Sequence, residues 1–293
     1  MNIKRTVPTM LLNINRTVPA VFERLLEVIR PYGKAVVAFS GGVDSTLLAY
    51  AAAEALGREN VLCVTARALS FPVRELDEAA AFCAEQGMRH EIIDFDEFGV
   101  DGFAANPPDR CYLCKRALFS EFKALAEREG IGAVFDGSNI DDTSDYRPGM
   151  KAIRELGVVS PLCEAGLTKD DVRGVLKELG LQAWDKPPLA CLATRFPYGE
   201  KITPEKLGMV DKAEQFLLDN GFGQVRVRIR GDRDFAAVIE VMPDEIERLV
   251  LSDIEGFFFG LGYKQVSIDP AGYRTGSLNE GLIPDVSKLS KPI

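Results

Sequence analysis

A single histidine, His90, stands in 293 residues, and the six cysteines include only one C-x-x-C pair, Cys111 and Cys114. A zinc ribbon, which takes two such pairs, is therefore not encoded. Positive charge is in deficit: 35 Lys and Arg against 44 Asp and Glu give a net charge of −9. That balance argues against a broad, non-specific grip on nucleic acid, although a local basic groove is compatible with it. No run of about 18 apolar residues occurs, so no transmembrane helix is expected. Met10-Leu11-Leu12 is flanked by polar residues with no small-residue cleavage site after it, so no secretory signal is expected. A cytoplasmic protein with reduced thiols, metal ligands or catalytic cysteines is the expectation. Low-complexity tracts and heptads are also absent. The exception to plain sequence is a near-duplicate, Asn2–Pro8 and Asn13–Pro19, read as part of a leader over residues 1–20.

What is present begins with the apolar run Lys34–Phe39, followed at once by Ser40-Gly41-Gly42-Val43-Asp44-Ser45 and a helical pattern to Leu56. A buried strand that ends in a Ser-Gly-Gly turn and opens a helix makes a phosphate cradle. The glycines admit an anion close to backbone N–H groups, and the helix terminus adds its dipole. No Gly-Lys-Ser/Thr follows a first glycine at Walker spacing. The Ser-Gly-Gly-x-Asp-Ser form resembles the PP-loop of ATP pyrophosphatases, which implies adenylation with loss of pyrophosphate. Ser40, Gly41, Gly42, Asp44 and Ser45 would then hold phosphates, with Asp44 able to meet magnesium. The adenine would lie at the next strand end, Thr65-Ala66-Arg67.

Strands are expected at Lys34–Phe39, Asn60–Ala66, Arg89–Asp94, Ala133–Asp136 and Val158–Ser160. Helices are expected between them at Ser45–Leu56, Val73–Gln86, Leu113–Glu129 and Lys169–Leu179. Such alternation implies an α/β fold with a doubly wound parallel sheet of the PP-loop, HUP-like kind, with ligands beyond the carboxyl ends of its strands. From about Lys201 the pattern changes to a helix (Pro204–Asn220), strands at Gln224–Arg230 and Phe235–Val241, a helix (Pro243–Leu261) and a strand (Gln265–Ile268). These form a smaller α+β domain. The division falls near Pro197-Tyr198-Gly199, giving units 21–199 and 200–293.

The cysteines divide by context. Cys63 lies in an apolar strand and Cys83 on a helix face, so both are core thiols; Cys163 is assigned a structural role. Cys111 and Cys114 admit four readings: half a zinc site, a redox dithiol, half an iron–sulfur site, or two buried thiols at helical spacing. Cys191 sits in a proline-flanked loop between the units, a position that more often carries function than packing. Arg226 and Arg228 alternate with valines and share one strand face, with Arg230 extending the row. They form either a solvated edge or a fork for a phosphate. Asp142 and Asp145 are either solvated loop residues or magnesium ligands.

The ordered motifs resemble the LarE family of ATP-dependent sulfur transferases. They are Ser40–Ser45, Asp136-Gly-Ser-Asn139, Asp141-Asp142, Asp145–Gly149, Ser160–Leu162, Glu164–Leu167, Trp184–Pro187, Ala190-Cys-Leu192, Arg195–Gly199, Arg226-Val-Arg228 and Gly272–Glu280. The resemblance implies adenylation of a carboxylate of pyridinium-3,5-dicarboxylate mononucleotide, with sulfur then displacing AMP to give a thiocarboxylate. The product serves the nickel-pincer cofactor of lactate racemase. It further implies catalytic roles for Cys191, Cys111, Cys114, Asp44 and Lys115, with Arg67 and Gly137 at the ATP. Arg195, Arg226 and Arg228 would bind the substrate, and Asp44 and Asp142 would hold Mg2+. Single-cysteine members sacrifice the sulfur of the residue at the Cys191 position. Cys111 and Cys114 make this chain similar to the three-cysteine subgroup, whose trio holds a 4Fe-4S iron–sulfur cluster. A sulfide source and a homo-oligomer, trimer or hexamer, are implied as well. The competing readings are an iron–sulfur tRNA thiolation enzyme of the same superfamily and a non-catalytic nucleotide-binding scaffold.

Overall fold

The apolar stretch Ala35–Ala38 forms one of the two inner strands of a four-stranded parallel sheet, as its two-sided burial requires. The computed structural model describes residues 18–143, 148–188, 190–231, 234–274 and 276–279. In chain order the first part runs α1 (Val18–Ile29), β1 (Ala35–Ala38), α2 (Val43–Leu56), β2 (Val61–Arg67), α3 (Val73–Glu85), β3 (Arg89–Asp94), α4 (Arg110–Arg128) and β4 (Val134–Phe135). It closes with three helices, α5 (Pro148–Glu155), α6 (Pro161–Glu164) and α7 (Lys169–Glu178). Strand order is β3-β2-β1-β4. Along β1 the side chains alternate between two cores. Ala35 and Val37 pack with α1, α2 and α7, while Val36 packs with Phe119 and Phe122 of α4 and Ile153 of α5. The sheet is thus covered on both faces, the expected doubly wound arrangement.

The direction of winding reverses between β1 and β4, so the crevice at their carboxyl ends is the switch point where such sheets bind ligands. The expected strand at Val158–Ser160 is reduced to one parallel bridge, Phe135 to Val159. Pro161 opens α6 immediately afterwards and has no N–H to extend the ladder. Helix α4 starts at Arg110 rather than at the expected Leu113. Pro107 and Asp109 carbonyls accept the first N–H groups, and Cys111 and Cys114 lie one turn apart on the helix itself.

The second part contains α8 (Pro204–Asp219), β5 (Arg226–Arg230), β6 (Ala236–Glu240), α9 (Ile246–Val250), α10 (Glu255–Gly260) and β7 (Gln265–Ile268). β6 pairs antiparallel with β5 and parallel with β7. The single helix expected over Pro243–Leu261 is broken between α9 and α10. Ser252 turns its hydroxyl back to the Arg248 carbonyl, and Ser and Asp there favour such local bonds over helix continuation. The core of this part also takes in Phe103, Leu192, Ala193 and Phe196 from the preceding segments. Among the described residues no helix is long and apolar enough to cross a membrane.

Candidate active site

The cradle after β1 is built as its residues dictate. Gly41 has φ +71°, a conformation that suits glycine, and Gly42 precedes the first turn of α2 without a side-chain cap. The first N–H groups of α2 have no partner within the helix, which leaves them for an anion. Ser45 Oγ donates to the Gly42 carbonyl at 3.1 Å and lies 3.1 Å from Ser40 Oγ, tying the loop across its own width. Behind it Thr65 Oγ1 donates to the Phe39 carbonyl at 2.7 Å and sits 2.8 Å from His90 Nε2. Burial lowers the His90 pKa, so the ring is a neutral, structural partner.

The loop after β4 closes the other wall. A Cβ on Gly137 would lie 3.2 Å from Ser45 N, so the glycine permits the close approach of this loop to α2. Asn139 Nδ2 donates to Asp44 Oδ1 at 3.0 Å, and Lys169, from the first turn of α7, pairs with Asp44 Oδ2. Asp142 Oδ2 accepts from Asn139 N at 3.1 Å, whereas Asp145 lies outside the described residues. Lys186 Nζ donates to the Gly41 carbonyl at 2.9 Å and pairs with Glu78 at 2.6 Å. Arg173 donates to the Trp184 and Lys186 carbonyls and so holds the segment carrying that lysine. Arg67 is not drawn into this cradle; it forms an exposed ion pair with Asp94 at 3.0 Å.

Cys111 and Cys114 lie one turn apart on α4, and Cys114 and Cys191 both pack against the second core. All three are free and partly exposed. Burial raises the Cys114 pKa well above the usual thiol range, and the thiols of Cys191 and Cys111 raise it further, which places all three within electrostatic reach. A Cβ on Gly149, in the first turn of α5, would come within 2.7 Å of Lys115 Cδ and 3.0 Å of Cys111 Sγ. The next residue, Met150, takes a hydrogen bond on Sδ from Ser138 Oγ at 3.1 Å. The head of α5 therefore bridges the cysteine pair and the cradle wall. Among the described residues no three His, Cys, Asp or Glu side chains are close enough to share one metal ion. Cys163 donates to the Asn139 carbonyl at 2.9 Å, and its pKa is pushed up to about 12 by burial and by Asp136, Asp142, Glu164 and Asp44, as suits a structural thiol.

The arginines are not on a solvated edge. Arg195, Arg226 and Arg228 are 2%, 8% and 7% exposed. Arg195 forms two bonds to Glu214, at 2.7 and 2.8 Å, and donates to the carbonyls of Ala190 and Cys191. Burial alone would lower the Arg195 pKa and raise that of Glu214; the pairing reverses both. Arg228 is held likewise by both oxygens of Glu240 and donates to the Thr194 carbonyl and Ser277 Oγ. Arg226 donates to the Val225 and Pro188 carbonyls and lies 5.2 Å from the Tyr273 ring centre. Its pKa is lowered to about 10 by burial and by the neighbouring Arg195 and Arg228. Arg230, at the end of the row, is exposed.

A model of the NAD synthase family matches residues 21–103, the segment that contains the cradle. The chain is 41% identical over 264 residues to an uncharacterized Synechocystis protein, covering 89% of this chain and 97% of the relative. It is 37% identical over 260 residues to the pyridinium-3,5-bisthiocarboxylic acid mononucleotide synthase of Lactiplantibacillus plantarum, covering 88% and 93%. The chain belongs to the LarE family. An ammonia-dependent NAD(+) synthetase of Chlorobaculum tepidum is 30% identical over 168 residues, covering 55% of this chain and 59% of the relative, as expected of a shared PP-loop unit.

A LarE-family protein is an ATP-dependent, sulfur-transferring enzyme of the PP-loop superfamily, and the site contains residues that the motifs did not single out. Lys169 was visible only as part of the Thr168–Asp171 capping box that starts α7. Glu214 and Glu240 were hidden among ordinary helix and strand charges. Lys186 lies within the Trp184–Pro187 motif, but nothing local shows that it reaches Gly41.

Proposed function

We propose that this protein adenylates a carboxylate of pyridinium-3,5-dicarboxylate mononucleotide and replaces AMP with sulfur. The carboxylate oxygen attacks the α-phosphorus of ATP, the α–β anhydride bond breaks and pyrophosphate leaves. Sulfide then adds to the acyl carbon, the bond to AMP breaks, and the thiol proton passes to solvent from the resulting thiocarboxylate. Neither step changes an oxidation state. Adenylation supplies the leaving group and the site supplies proximity.

The observation that carries the reading is the position of the thiols: the head of α5 touches Cys111 on one side and the cradle loop on the other. A sulfur held at Cys111, Cys114 or Cys191 would face an acyl group activated at the cradle. Ser40, Gly41, Gly42, Ser45 and Gly137 are assigned to the phosphates, Asp44 and Asp142 to magnesium, and Arg67 to the nucleoside end. Lys169 would exchange Asp44 for the phosphates when ATP and a cation arrive. Arg226 is assigned to the substrate phosphate. Arg195 and Arg228 each bond both oxygens of a buried carboxylate, whereas Arg226 hydrogen-bonds only neutral acceptors among the described residues and feels Glu214, already paired with Arg195, through space, which suits it to a further anion.

Three partly buried thiols, with the single histidine, His90, already engaged by Thr65, suit an iron–sulfur cluster better than a single ion, since a cluster is wider than one metal and takes thiolate ligands. Cys111, Cys114 and Cys191 would hold a 4Fe-4S cluster, which supplies an open iron for an external sulfide. Lys115, one turn along from Cys111, is assigned to the reacting side.

The test is an anaerobic assay with ATP, sulfide and the dicarboxylate nucleotide, reading pyrophosphate and thiocarboxylate. Asp44→Ala is expected to lose pyrophosphate release and keep its iron. Unchanged release in that variant, or no thiocarboxylate from the wild type, would contradict the proposal.

A further inference from the structure

Glu97 lies in the turn after β3 with 1% of its surface exposed, and none of the motifs or roles above uses it. Both of its oxygens are taken by one residue. Ser70 N donates to Oε1 and Ser70 Oγ to Oε2, each at 2.8 Å. Ser70 is itself fully buried, and its carbonyl accepts from Leu192 N at 2.9 Å. Leu192 directly follows Cys191 and is anchored in the second core. On the other side, Glu97 is within electrostatic reach of Cys114 and of Arg110. Arg110 is 5% exposed, and its Nη1 has no hydrogen-bond partner. One buried carboxylate thus stands between the loop that carries Cys191 and the helix head that carries Cys111 and Cys114.

The loop is held from two directions. From the side of β5, Arg226 takes the Pro188 carbonyl and Arg228 the Thr194 carbonyl, while Arg195, within the loop, bonds back to the Ala190 and Cys191 carbonyls. From the side of the parallel sheet, Leu192 N to Ser70 O is the backbone hydrogen bond that reaches Ala190–Arg195 among the described residues. Ser70 lies in the turn between β2 and α3 and is held in place through both of its donors by Glu97. Burying a carboxylate costs several kcal/mol unless it is fully hydrogen-bonded, and a neutral residue would hold a lone turn at lower cost.

We propose that Glu97 is a positioning residue for sulfur transfer, which fixes the separation of Cys191 from Cys111 and Cys114 through Ser70 and Leu192. This rests on the assignment of Cys191 to sulfur handling. Anaerobic crosslinking of the apo, full-length chain with dibromobimane reads that separation, with peptide mapping of links between Cys191 and the α4 cysteines. Sulfur-transfer assays run beside it. Glu97→Ala is expected to lower crosslink yield about fivefold and sulfur transfer about tenfold, with KM for ATP and pyrophosphate release at wild-type level. Glu97→Gln, which keeps an acceptor for Ser70 N, is expected to restore both to within about threefold. Wild-type crosslinking in Glu97→Ala, or no recovery in Glu97→Gln, would overturn the proposal. If thermal melting shows that Glu97→Ala does not fold, Ser70→Ala carries the test. It removes one of the two bonds and should lower the yield about twofold; an unchanged yield would overturn the proposal. Cys191→Ser tests the underlying assignment separately: wild-type sulfur transfer in that variant would remove the role of Cys191 whatever the crosslinks show.

Discussion

Asp44 is the residue at which the free and loaded sites should differ most, because its carboxylate is held by Asn139 and Lys169. Lys169→Ala is expected to lower kcat/KM for ATP by about tenfold to a hundredfold, the range for losing a bond to a charged group, while iron content stays constant. ATP titration of pyrophosphate release checks this. Glu75 governs a second residue-scale effect. Burial raises its pKa to about 7, with Glu78 and Asp211 adding to the rise and Arg74 and Arg195 opposing it. A carboxylate that holds its proton more tightly folded than unfolded loses stability as pH rises. The unfolded chain releases the proton first, so the loss begins near the ordinary carboxylate pKa and is complete above about 7. Glu75→Gln should remove a decline on the order of 1–3 kcal/mol across that window. Thermal unfolding of both proteins from pH 4.5 to 8 would show it, and parallel curves would contradict it.

Two glycines separate the functions of the elements that carry them. A Cβ on Gly137 presses on the first turn of α2, and a Cβ on Gly149 presses on Lys115 and Cys111 of α4. Gly137→Ala should impair pyrophosphate release about tenfold and spare iron binding, and Gly149→Ala should do the reverse. Parallel assays of release and iron content decide whether the two effects come apart. The elements themselves were largely legible in the sequence, because an apolar run before Ser-Gly-Gly and the strand–helix alternation are local patterns. What was not legible depends on distant partners. Arg226 and Arg228 read equally well as a solvated edge until the Pro188–Thr194 loop is laid across them. The start of α4 was misplaced by three residues because Asp109 makes no side-chain cap bond that would mark the boundary. The break at Ser252 was missed because apolar residues continue on both sides of it.

At the scale of the whole molecule, an acidic chain coexists with a buried arginine cluster. A net charge of −9 hides three arginines buried at the junction of the two sheets. Bulk tRNA should accordingly give at most a weak gel shift that vanishes at physiological salt, since few phosphate contacts are available on an acidic surface. A salt-resistant shift would favour the RNA-directed reading. The same junction fixes the Cys191 loop, which is gripped by Arg226 and Arg228 of β5 on one side and by Ser70 of the parallel-sheet unit on the other. The most direct test of this account is anaerobic turnover of the cluster-loaded protein with ATP, excess sulfide and the dicarboxylate nucleotide, counting thiocarboxylate formed per chain. More than one product per chain, with the Cys191 side chain intact by mass spectrometry, is the predicted result. One product or fewer, with Cys191 converted to dehydroalanine, would contradict it.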